Sequence, residues 1–349
     1  THRHRMSAHA ASIRDNCHDQ AVPENAVSAH LPVVKGECVS CHDPHSSNHP
    51  ANLVKKESEL CFDCHKELGE KIAANKYSHS PVEQDCQRCH TPHASENAAG
   101  LLKTEQPALC LECHKTSSSG FKKSHMNYPV EQGRCTACHD PHGSNSPAIL
   151  ADVVHQPIKK QMCNQCHNEP NSSEPFAVKK TGFELCQGCH YEMVNESFAK
   201  NRQHWPMLDK TGCINCHSPH ASSEAGLLRA PMEKVCGSCH ADTMARQERS
   251  VTKHQPISDG DCTICHSPHA SDNLFLQTEA STINNCAQCH DWQTHSTHPI
   301  GAEVVDPRNQ NITLDCLSCH RTHGTEYKHF LYYPDIQGLC VQCHTKYRR

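Results

Sequence analysis

The apolar residues of this 349-residue chain occur in short clusters that are separated by Pro, Gly, Asn and Ser. This pattern predicts short helices joined by coil, because Pro, Gly and the turn-forming residues end helices. Helices longer than about 12 residues are expected at most over residues 191–202 and 241–252. The alternation that is typical of strands is weak. No run approaches the roughly 18 apolar residues of a transmembrane helix, so no direct membrane span is predicted.

The composition leaves too little apolar material for an ordinary core. Apolar residues make up 36% of the chain, but only about 28% once the 27 cysteines are set aside. Typical domains contain about 45–50%, and a chain of this length normally buries about three quarters of its unfolded surface. Either the chain is disordered or a group other than its side chains supplies the hydrophobic mass.

The charge balance excludes one class of partner. The chain has 33 Lys and Arg against 38 Asp and Glu, a formal net charge of -5, and no long basic run. A surface that neutralises phosphates is therefore not expected, and neither is a nucleic-acid partner. The sequence begins at Thr1 without an apolar leader, which we interpret as a mature chain whose signal peptide has been removed.

The cysteines identify the missing hydrophobic mass. Of the 27 cysteines, 26 form thirteen copies of CxxCH, and every copy ends in histidine. Two thiols on one short turn can add to the two vinyl groups of haem, and the adjacent histidine can bind the iron. Zinc sites would need four ligands per metal and give no reason for a histidine after every pair. Disulfide scaffolds do not fix the spacing at two residues. The motifs predict thirteen haem c groups, at Cys38, Cys41 and His42; Cys61, Cys64 and His65; Cys86, Cys89 and His90; Cys110, Cys113 and His114; Cys135, Cys138 and His139; Cys163, Cys166 and His167; Cys186, Cys189 and His190; Cys213, Cys216 and His217; Cys236, Cys239 and His240; Cys262, Cys265 and His266; Cys286, Cys289 and His290; Cys316, Cys319 and His320; and Cys340, Cys343 and His344.

Further histidines recur at fixed places around the motifs. Six copies carry a second histidine three residues after the first, in HxPH or HRTH segments, at His45, His93, His142, His220, His269 and His323. Each of these copies heads a pair whose second motif follows 23 to 28 residues later. An upstream histidine precedes each pair, at His30, His79, His125, His204, His254 and His298. Each two-haem unit thus has two histidines that bind iron through CxxCH and two to spare, which is the stoichiometry of bis-histidine ligation.

The second histidine of HxPH should ligate a neighbouring haem. Residues three apart on a helix lie on the same side, whereas the second axial ligand must approach the opposite face of the porphyrin. We assign the remaining His155 to the thirteenth haem, at Cys163, eight residues downstream. The haem at Cys186 could then lack a sixth ligand, because residues 168–186 contain no histidine. His295 competes with His298, which we prefer, and His2, His4, His49 and His329 are expected to be surface residues.

The last cysteine, Cys17, precedes His18, but Arg14 occupies the place of the first cysteine of a motif. One interpretation is a fourteenth haem on a single thioether, with His18 as one axial ligand and His9 as the other. The alternative is a degenerate repeat with a free thiol.

The repeats suggest four segments. Residues 1–29 form a His-rich N-terminal segment with the degenerate motif, and residues 30–167 contain three two-haem units. Residues 168–203 form a single-haem connector, and residues 204–349 contain three more two-haem units. This near-symmetric arrangement favours an elongated molecule.

With these motifs, the chain resembles the multihaem c-type cytochromes built from doubled CxxCH units, over residues 30–344. The resemblance implies a haem-organised fold, mostly coil with short α-helices and little or no β-structure. It also implies electron transfer without bond-making chemistry, so the protein is not expected to be an enzyme. The rival class is a multihaem oxidoreductase of the nitrite or hydroxylamine type with one open haem site. That class often has Lys after a CxxC pair, which no copy here shows.

The resemblance further implies an extracytoplasmic location, in the periplasm, at the outer membrane or outside the cell, with other redox proteins as partners. Three architectures agree with it: a free periplasmic carrier, a wire enclosed by an outer-membrane porin, and a subunit that self-associates into filaments. In the last of these, N-terminal histidines could ligate haem in a neighbouring subunit.

Overall fold

The computed structural model of the protein describes residues 21–291 and 298–348. The predicted sites at His9, Cys17 and His18 lie outside the described residues, as does His295. The described chain forms two compact bodies. The N-terminal body comprises residues up to Ala177 together with His220–Ser223, and the C-terminal body comprises Val178–Pro219 and the residues from Glu224 onward.

Short helices joined by turns make up most of the regular structure. The longest described helices have nine residues each: Lys66–Ala74, Tyr191–Ala199 and Ala241–Arg249. Each begins directly after the histidine of a CxxCH motif. The second and third lie within the two segments that the sequence favoured for the longest helices. The α-helices are α1 Leu31–Val34, α2 Glu57–Cys64, α3 Lys66–Ala74, α4 Ser80–Gln84, α5 Ala108–Leu111, α6 Ser119–Ser124, α7 Gln156–Lys159, α8 Glu184–Gln187, α9 Tyr191–Ala199, α10 Met232–Gly237, α11 Ala241–Arg249, α12 Gln255–Ser258, α13 Thr282–Ala287 and α14 Ile336–Cys340.

Single 3₁₀ turns connect these helices. They are Cys38–Ser40, Pro50–Asn52, Cys86–Arg88, Ala99–Leu101, Val130–Gln132, Cys135–Ala137, Pro147–Ile149, Cys163–Gln165, Trp205–Met207, Gly212–Asn215, Ala225–Leu227, Cys262–Ile264, Leu274–Leu276, Cys316–Ser318, Lys328–Phe330 and Thr345–Tyr347.

The β-structure within the described ranges consists of four small antiparallel pairs. They are β1 Ser28–Ala29 with β2 Ala94–Ser95, β3 Val153–Val154 with β5 Ala221–Ser222, β4 Arg202–Gln203 with β6 Ala270–Ser271, and β7 Val305–Asp306 with β8 Asn309–Thr313. In the first three pairs, one strand ends just before an upstream histidine and the other begins just after an HxPH segment. These pairs therefore place histidines from distant parts of the chain side by side. The predicted fold class, mostly coil with short helices and little β-structure, is confirmed.

The side-chain core is very small. Its buried apolar residues are Ala98, Tyr128, Ala151, Val154, Val194, Met207, Ala221, Ala270 and Leu331. The one described cluster of them, in the N-terminal body, joins Ala151, Val154 and Ala221. Packing of side chains alone thus contributes little, in agreement with the low apolar content of the sequence. Over the two described ranges, no helix has both the length and the apolar character needed to cross a membrane.

Candidate haem-binding sites

All thirteen CxxCH motifs have the same closed turn. The backbone N–H of each motif histidine donates to the carbonyl of the first cysteine, four residues earlier, at 2.9–3.1 Å. This hydrogen bond closes the short loop that carries the two thiols and the imidazole. A closed loop keeps the three groups close together, as attachment to one porphyrin requires.

The motifs fall into two structural types. We call a motif a head motif when its first cysteine lies in a 3₁₀ turn, as at Cys38, Cys86, Cys135, Cys163, Cys213, Cys262 and Cys316. We call it a tail motif when its first cysteine lies within an α-helix, as at Cys61, Cys110, Cys186, Cys236, Cys286 and Cys340.

The two types change the pairing of the motifs in the middle of the chain. Cys163 begins a head motif and Cys186 belongs to the tail motif that follows it, whereas the sequence analysis paired Cys135 with Cys163 and left Cys186 alone. Cys135 is then the single motif of its unit. The spacing from Cys163 to Cys186 is 23 residues, the same as from Cys38 to Cys61. We number the units one to seven by their head motifs.

In every head motif, a backbone carbonyl fixes the orientation of the histidine ring. The ring Nδ1 lies 2.7–2.9 Å from the carbonyl oxygen of a residue nine or ten positions later. This contact leaves Nε2 for a metal, because Nδ1 carries the donated proton. The pairs are His42 with Ala51, His90 with Gly100, His139 with Ala148, His167 with Phe176, His217 with Gly226, His266 with Phe275 and His320 with His329.

Most of the residues that bear these carbonyls have left-handed backbone conformations, which direct the carbonyl toward the histidine ring. Ala51, Ala148, Phe275 and His329 have φ between 54° and 57°, and Gly100 and Gly226 have φ of 68° and 64°. Non-glycine residues rarely adopt this region, and its cost is about 1–2 kcal/mol. His329, expected as a surface residue, is exposed, but its carbonyl serves His320 in this way.

Eleven motif histidines each face a second histidine ring. The ring centroids lie 5.9–6.2 Å apart in every case. A metal-bound imidazole nitrogen lies about 2 Å from the metal, so two rings that bind one ion from opposite sides have centroids about 6 Å apart. The facing rings therefore leave the space of one iron, and the motif thiols beside them fit a covalently attached porphyrin.

The first kind of pair joins an upstream histidine to the tail motif of its own unit. These pairs are His30 with His65, His79 with His114, His204 with His240, His254 with His290 and His298 with His344. His298, the preferred candidate of the sequence analysis, thus lies opposite a motif histidine.

The second kind of pair joins the HxPH histidine of one unit to the head motif of the preceding unit. We call these HxPH histidines donor histidines. The pairs are His42 with His93, His90 with His142, His167 with His220, His217 with His269 and His266 with His323. As expected from the sequence, the second histidine of HxPH faces a neighbouring motif and not its own.

The proline of HxPH explains why the two kinds of pair occur together. Its carbonyl accepts a hydrogen bond from the upstream histidine of the preceding unit, at 3.0 Å for Pro92 and His30 and at 2.9 Å for Pro268 and His204. Pro141 and His79 make the same contact at 2.9 Å. One short segment thus serves both pairs of the preceding unit. Its proline carbonyl orients the upstream histidine of one pair, and its donor histidine faces the head motif in the other.

The head motif of the third unit belongs to neither kind of pair, and it faces the upstream histidine of its own unit instead. Unit four has Pro170 where the other units have a donor histidine, so unit three receives no donor from it. Unit three also lacks a tail motif, which leaves its upstream histidine, His125, without a tail partner. His125 faces His139 of its own unit, at 6.2 Å.

One assignment of the sequence analysis is corrected here. His155 was assigned to the haem at Cys163, but the ring that faces His167 is His220, at 5.9 Å. His155 instead follows strand β3, as His30 follows β1, and its backbone N–H donates to the carbonyl of His220 at 2.9 Å. Every upstream histidine precedes a head motif in the sequence, but apart from His125 none of them faces the histidine of that motif. The sequence distance of His155 from Cys163 therefore did not identify its partner.

Burial keeps the donor histidines neutral. It lowers the pKa of each of the five donors that face a motif histidine: His93, His142, His220, His269 and His323. A neutral imidazole has the free nitrogen lone pair that iron requires. Burial thus favours the protonation state that binds metal.

Neighbouring motifs approach each other through their cysteines. In the N-terminal body, Cys61 lies beside Cys86, and Cys110 lies beside Cys135. In the C-terminal body, the same neighbours are Cys186 and Cys213, Cys236 and Cys262, and Cys286 and Cys316. The second cysteines are also close to the next motif: Cys41, Cys89, Cys138, Cys216, Cys265 and Cys319 lie near Cys64, Cys113, Cys163, Cys239, Cys289 and Cys343, respectively. Within each body, attachment points that are consecutive in the sequence are therefore neighbours in space.

A protein-family model describes the same repeats. The model of the doubled CXXCH motif matches residues 30–70, 79–119, 127–153, 155–195, 204–245, 254–295 and 310–349. The chain belongs to this family. No curated protein matches the sequence.

The seven matched segments of this doubled-CXXCH protein agree with the structural grouping. Residues 155–195 contain the motifs at Cys163 and Cys186, and residues 127–153 contain the motif at Cys135 alone. The segments together contain all thirteen complete motifs, so this is a multihaem c-type cytochrome that binds haem c and takes part in electron transport.

One donor histidine of the doubled-CXXCH protein has no preceding unit in the described structure. His45 belongs to unit one, and its side chain is 92% exposed. The donor rule would pair it with a head motif before unit one. Of the two other histidines expected at the surface and described here, His49 is half-buried and His329 is exposed.

Proposed function

We propose that the protein conducts electrons along rows of bis-histidine haems and serves extracellular electron transfer. The facing histidine pairs, with centroids 5.9–6.2 Å apart beside the motifs, support this proposal most strongly. Haem supplies one-electron chemistry when it is bound. The residues of this chain attach it, orient its ligands and fix the spacing of the row.

The proposed mechanism is outer-sphere transfer. The CxxCH thiols would hold the porphyrin, the head carbonyls orient the motif histidines, and the donor and upstream histidines would bind the iron together with them. Two histidines at one iron would leave no site for a small substrate, which favours electron transfer over catalysis. Histidine in place of methionine as the second ligand favours low reduction potentials.

Ligand binding tests this mechanism against the oxidoreductase alternative. The alternative depended on a shortage of ligands at Cys186, which arose because His155 was assigned to Cys163. Since His220 faces His167, the motif at Cys163 does not need His155, and the reason for that shortage is removed. Addition of carbon monoxide to the dithionite-reduced holoprotein should leave its visible spectrum unchanged. A carbon monoxide adduct of one haem per chain, together with turnover of nitrite or hydroxylamine, would instead support an enzyme.

The cellular role is tested by microscopy of the native protein. We propose that it acts outside the cytoplasm with other redox proteins as partners, and purification without detergent from extracellular and membrane fractions separates the possible architectures. Helical filaments would identify a self-associating conductor. Copurification with an outer-membrane barrel would identify a porin-enclosed wire, and dispersed particles in the periplasmic fraction alone would contradict an extracellular role.

A further inference from the structure

Asp140 is a largely buried carboxylate beside a donor histidine. It lies between the two histidines of its HxPH segment, and its side chain is 13% exposed, compared with 41% for Asp43 at the same place in unit one. The residues at this place in the six segments are Asp43, Thr91, Asp140, Ser218, Ser267 and Arg321.

Both oxygens of Asp140 are engaged. Oδ1 accepts the backbone N–H of His142 at 3.0 Å and lies 3.7 Å from the ring Nδ1 of the same histidine. Oδ2 accepts hydrogen bonds from Lys71 Nζ at 2.8 Å and from Ser223 Oγ at 3.4 Å. The Lys71 cation and the His142 N–H are partners that suit an ionised carboxylate.

Three distant parts of the N-terminal body meet at this carboxylate. Lys71 comes from α3, which follows the tail motif of unit one, and Ser223 comes from the segment that carries His220. Among the described residues, the other donors that face a motif histidine, His93, His220, His269 and His323, have no carboxylate within salt-bridge distance. His142 thus differs from the other donors in its electrostatic surroundings.

We propose that Asp140, opposed by Lys71, is a positioning residue that lowers the reduction potential of the haem between His90 and His142. This inference rests on the proposed function. A negative charge 3.7 Å from Nδ1 stabilises ferric iron over ferrous iron through its electrostatic field, and the hydrogen bond from the His142 N–H fixes the backbone that carries the ring. The Lys71 cation acts in the opposite sense. The haem of His90 would then have a lower reduction potential than it would have without the Asp140 carboxylate.

Redox titration of the intact holoprotein tests this proposal. His142→Met first identifies the component that belongs to this haem, because methionine ligation raises its potential. Asp140→Asn should raise the potential of the same component, by about a tenfold change in the ferric-to-ferrous ratio, which is about 59 mV for one electron. Lys71→Gln should lower it by less, because Lys71 is 35% exposed. Asp140→Glu should retain the original value, and Asp43→Asn, at the same place in unit one, is the matched control that should leave the potential of this component unchanged.

The signs of the shifts separate electrostatics from loosened structure. Shifts of opposite sign for Asp140→Asn and Lys71→Gln support the proposal. Shifts of the same sign in both variants, or no shift in either, would overturn it. If Asp140→Asn does not fold, the sign for Lys71→Gln decides alone. A His142→Met protein in which no component moves would show that the proposed ligation fails at this site, which removes the basis of the inference.

Discussion

At the scale of single residues, each candidate haem site of the second kind joins a motif histidine to a donor histidine that lies far away in the sequence. The CxxCH motifs and the recurrence of HxPH identify His93 and His142 as ligands, since each residue type has a fixed place in the repeat. The partner of each ligand depends on which unit lies against which, and no local pattern records that. His155 illustrates this limit, because its distance from Cys163 resembles that of a ligand although His220 faces His167.

Substitution of a donor histidine tests the assignment of individual ligands. His93→Met should raise the potential of one haem and change its near-infrared magnetic circular dichroism from the bis-histidine to the histidine–methionine type, because His93 faces His42. The matched control is His49→Met, four residues after the donor position of unit one, which should alter neither signal. An unchanged spectrum in the His93→Met protein would contradict the pairing.

At the scale of structural elements, the backbone conformation orients the histidines of the head motifs. The residue types alone do not reveal this role. The residues whose carbonyls orient the head histidines include Ala51, Gly100, Phe275 and His329, so no residue type marks the position. The common feature is a left-handed turn, which only the folded backbone reveals. Helices, in contrast, could be predicted for residues 191–202 and 241–252, because few helix-breaking residues interrupt them.

Proline at one of these turns tests the role of the left-handed backbone. Ala148 has a φ of 56°, whereas proline fixes φ near about −65°. Ala148→Pro should therefore remove the carbonyl from His139 Nδ1 and broaden the low-spin electron paramagnetic resonance signal of that haem. Ala148→Gly, which keeps the turn accessible, should leave the signal intact. Equal effects of the two substitutions would contradict a role for the carbonyl.

The hairpin β7–β8 gives a pH-dependent prediction. The Asp306 side chain is 1% exposed and pairs with Arg308 at 2.6 Å, and hydrogen bonds from Arg308 lower the pKa of Asp306. A lowered pKa in the folded state contributes stability above about pH 4, and that stability is lost as the pH falls through the folded-state value. Asp306→Asn should cost about 1.5–3 kcal/mol at pH 6.

Hydrogen exchange over residues 305–313 measures this effect. The native hairpin should be better protected than the Asp306→Asn hairpin at pH 6, and the difference should shrink as the pH falls through the folded-state pKa of Asp306. A difference that stays constant as the native carboxylate is titrated would show that the ion pair is not its cause.

At the scale of the whole molecule, the haems take the place of a side-chain core. Within residues 21–291 and 298–348, the buried apolar residues are few and mostly small, such as Ala98, Ala151 and Ala270. Residue ordering costs about 1–2 kcal/mol per backbone residue, which so small a core cannot offset. The low apolar content predicts this deficit from the sequence, but the order of the attachment points in each body depends on cysteine contacts such as that of Cys61 with Cys86.

The haem-free chain should therefore be unfolded. Expression in a compartment without haem attachment, followed by circular dichroism and hydrogen exchange, should show little helix and no protected amides. The control is the holoprotein at the same concentration and pH. Native-like helix content and protection in the haem-free chain would show that the polypeptide folds by itself.

The most direct test of the central claim is quantitative electron paramagnetic resonance of the fully oxidised holoprotein, together with its iron content. The account predicts that essentially all iron is low-spin, with the near-infrared magnetic circular dichroism of bis-histidine haem, and that each chain carries at least the thirteen haems of its complete motifs. Fewer than eleven low-spin bis-histidine irons per chain would contradict it, because the structure places eleven facing pairs of imidazoles at the motifs.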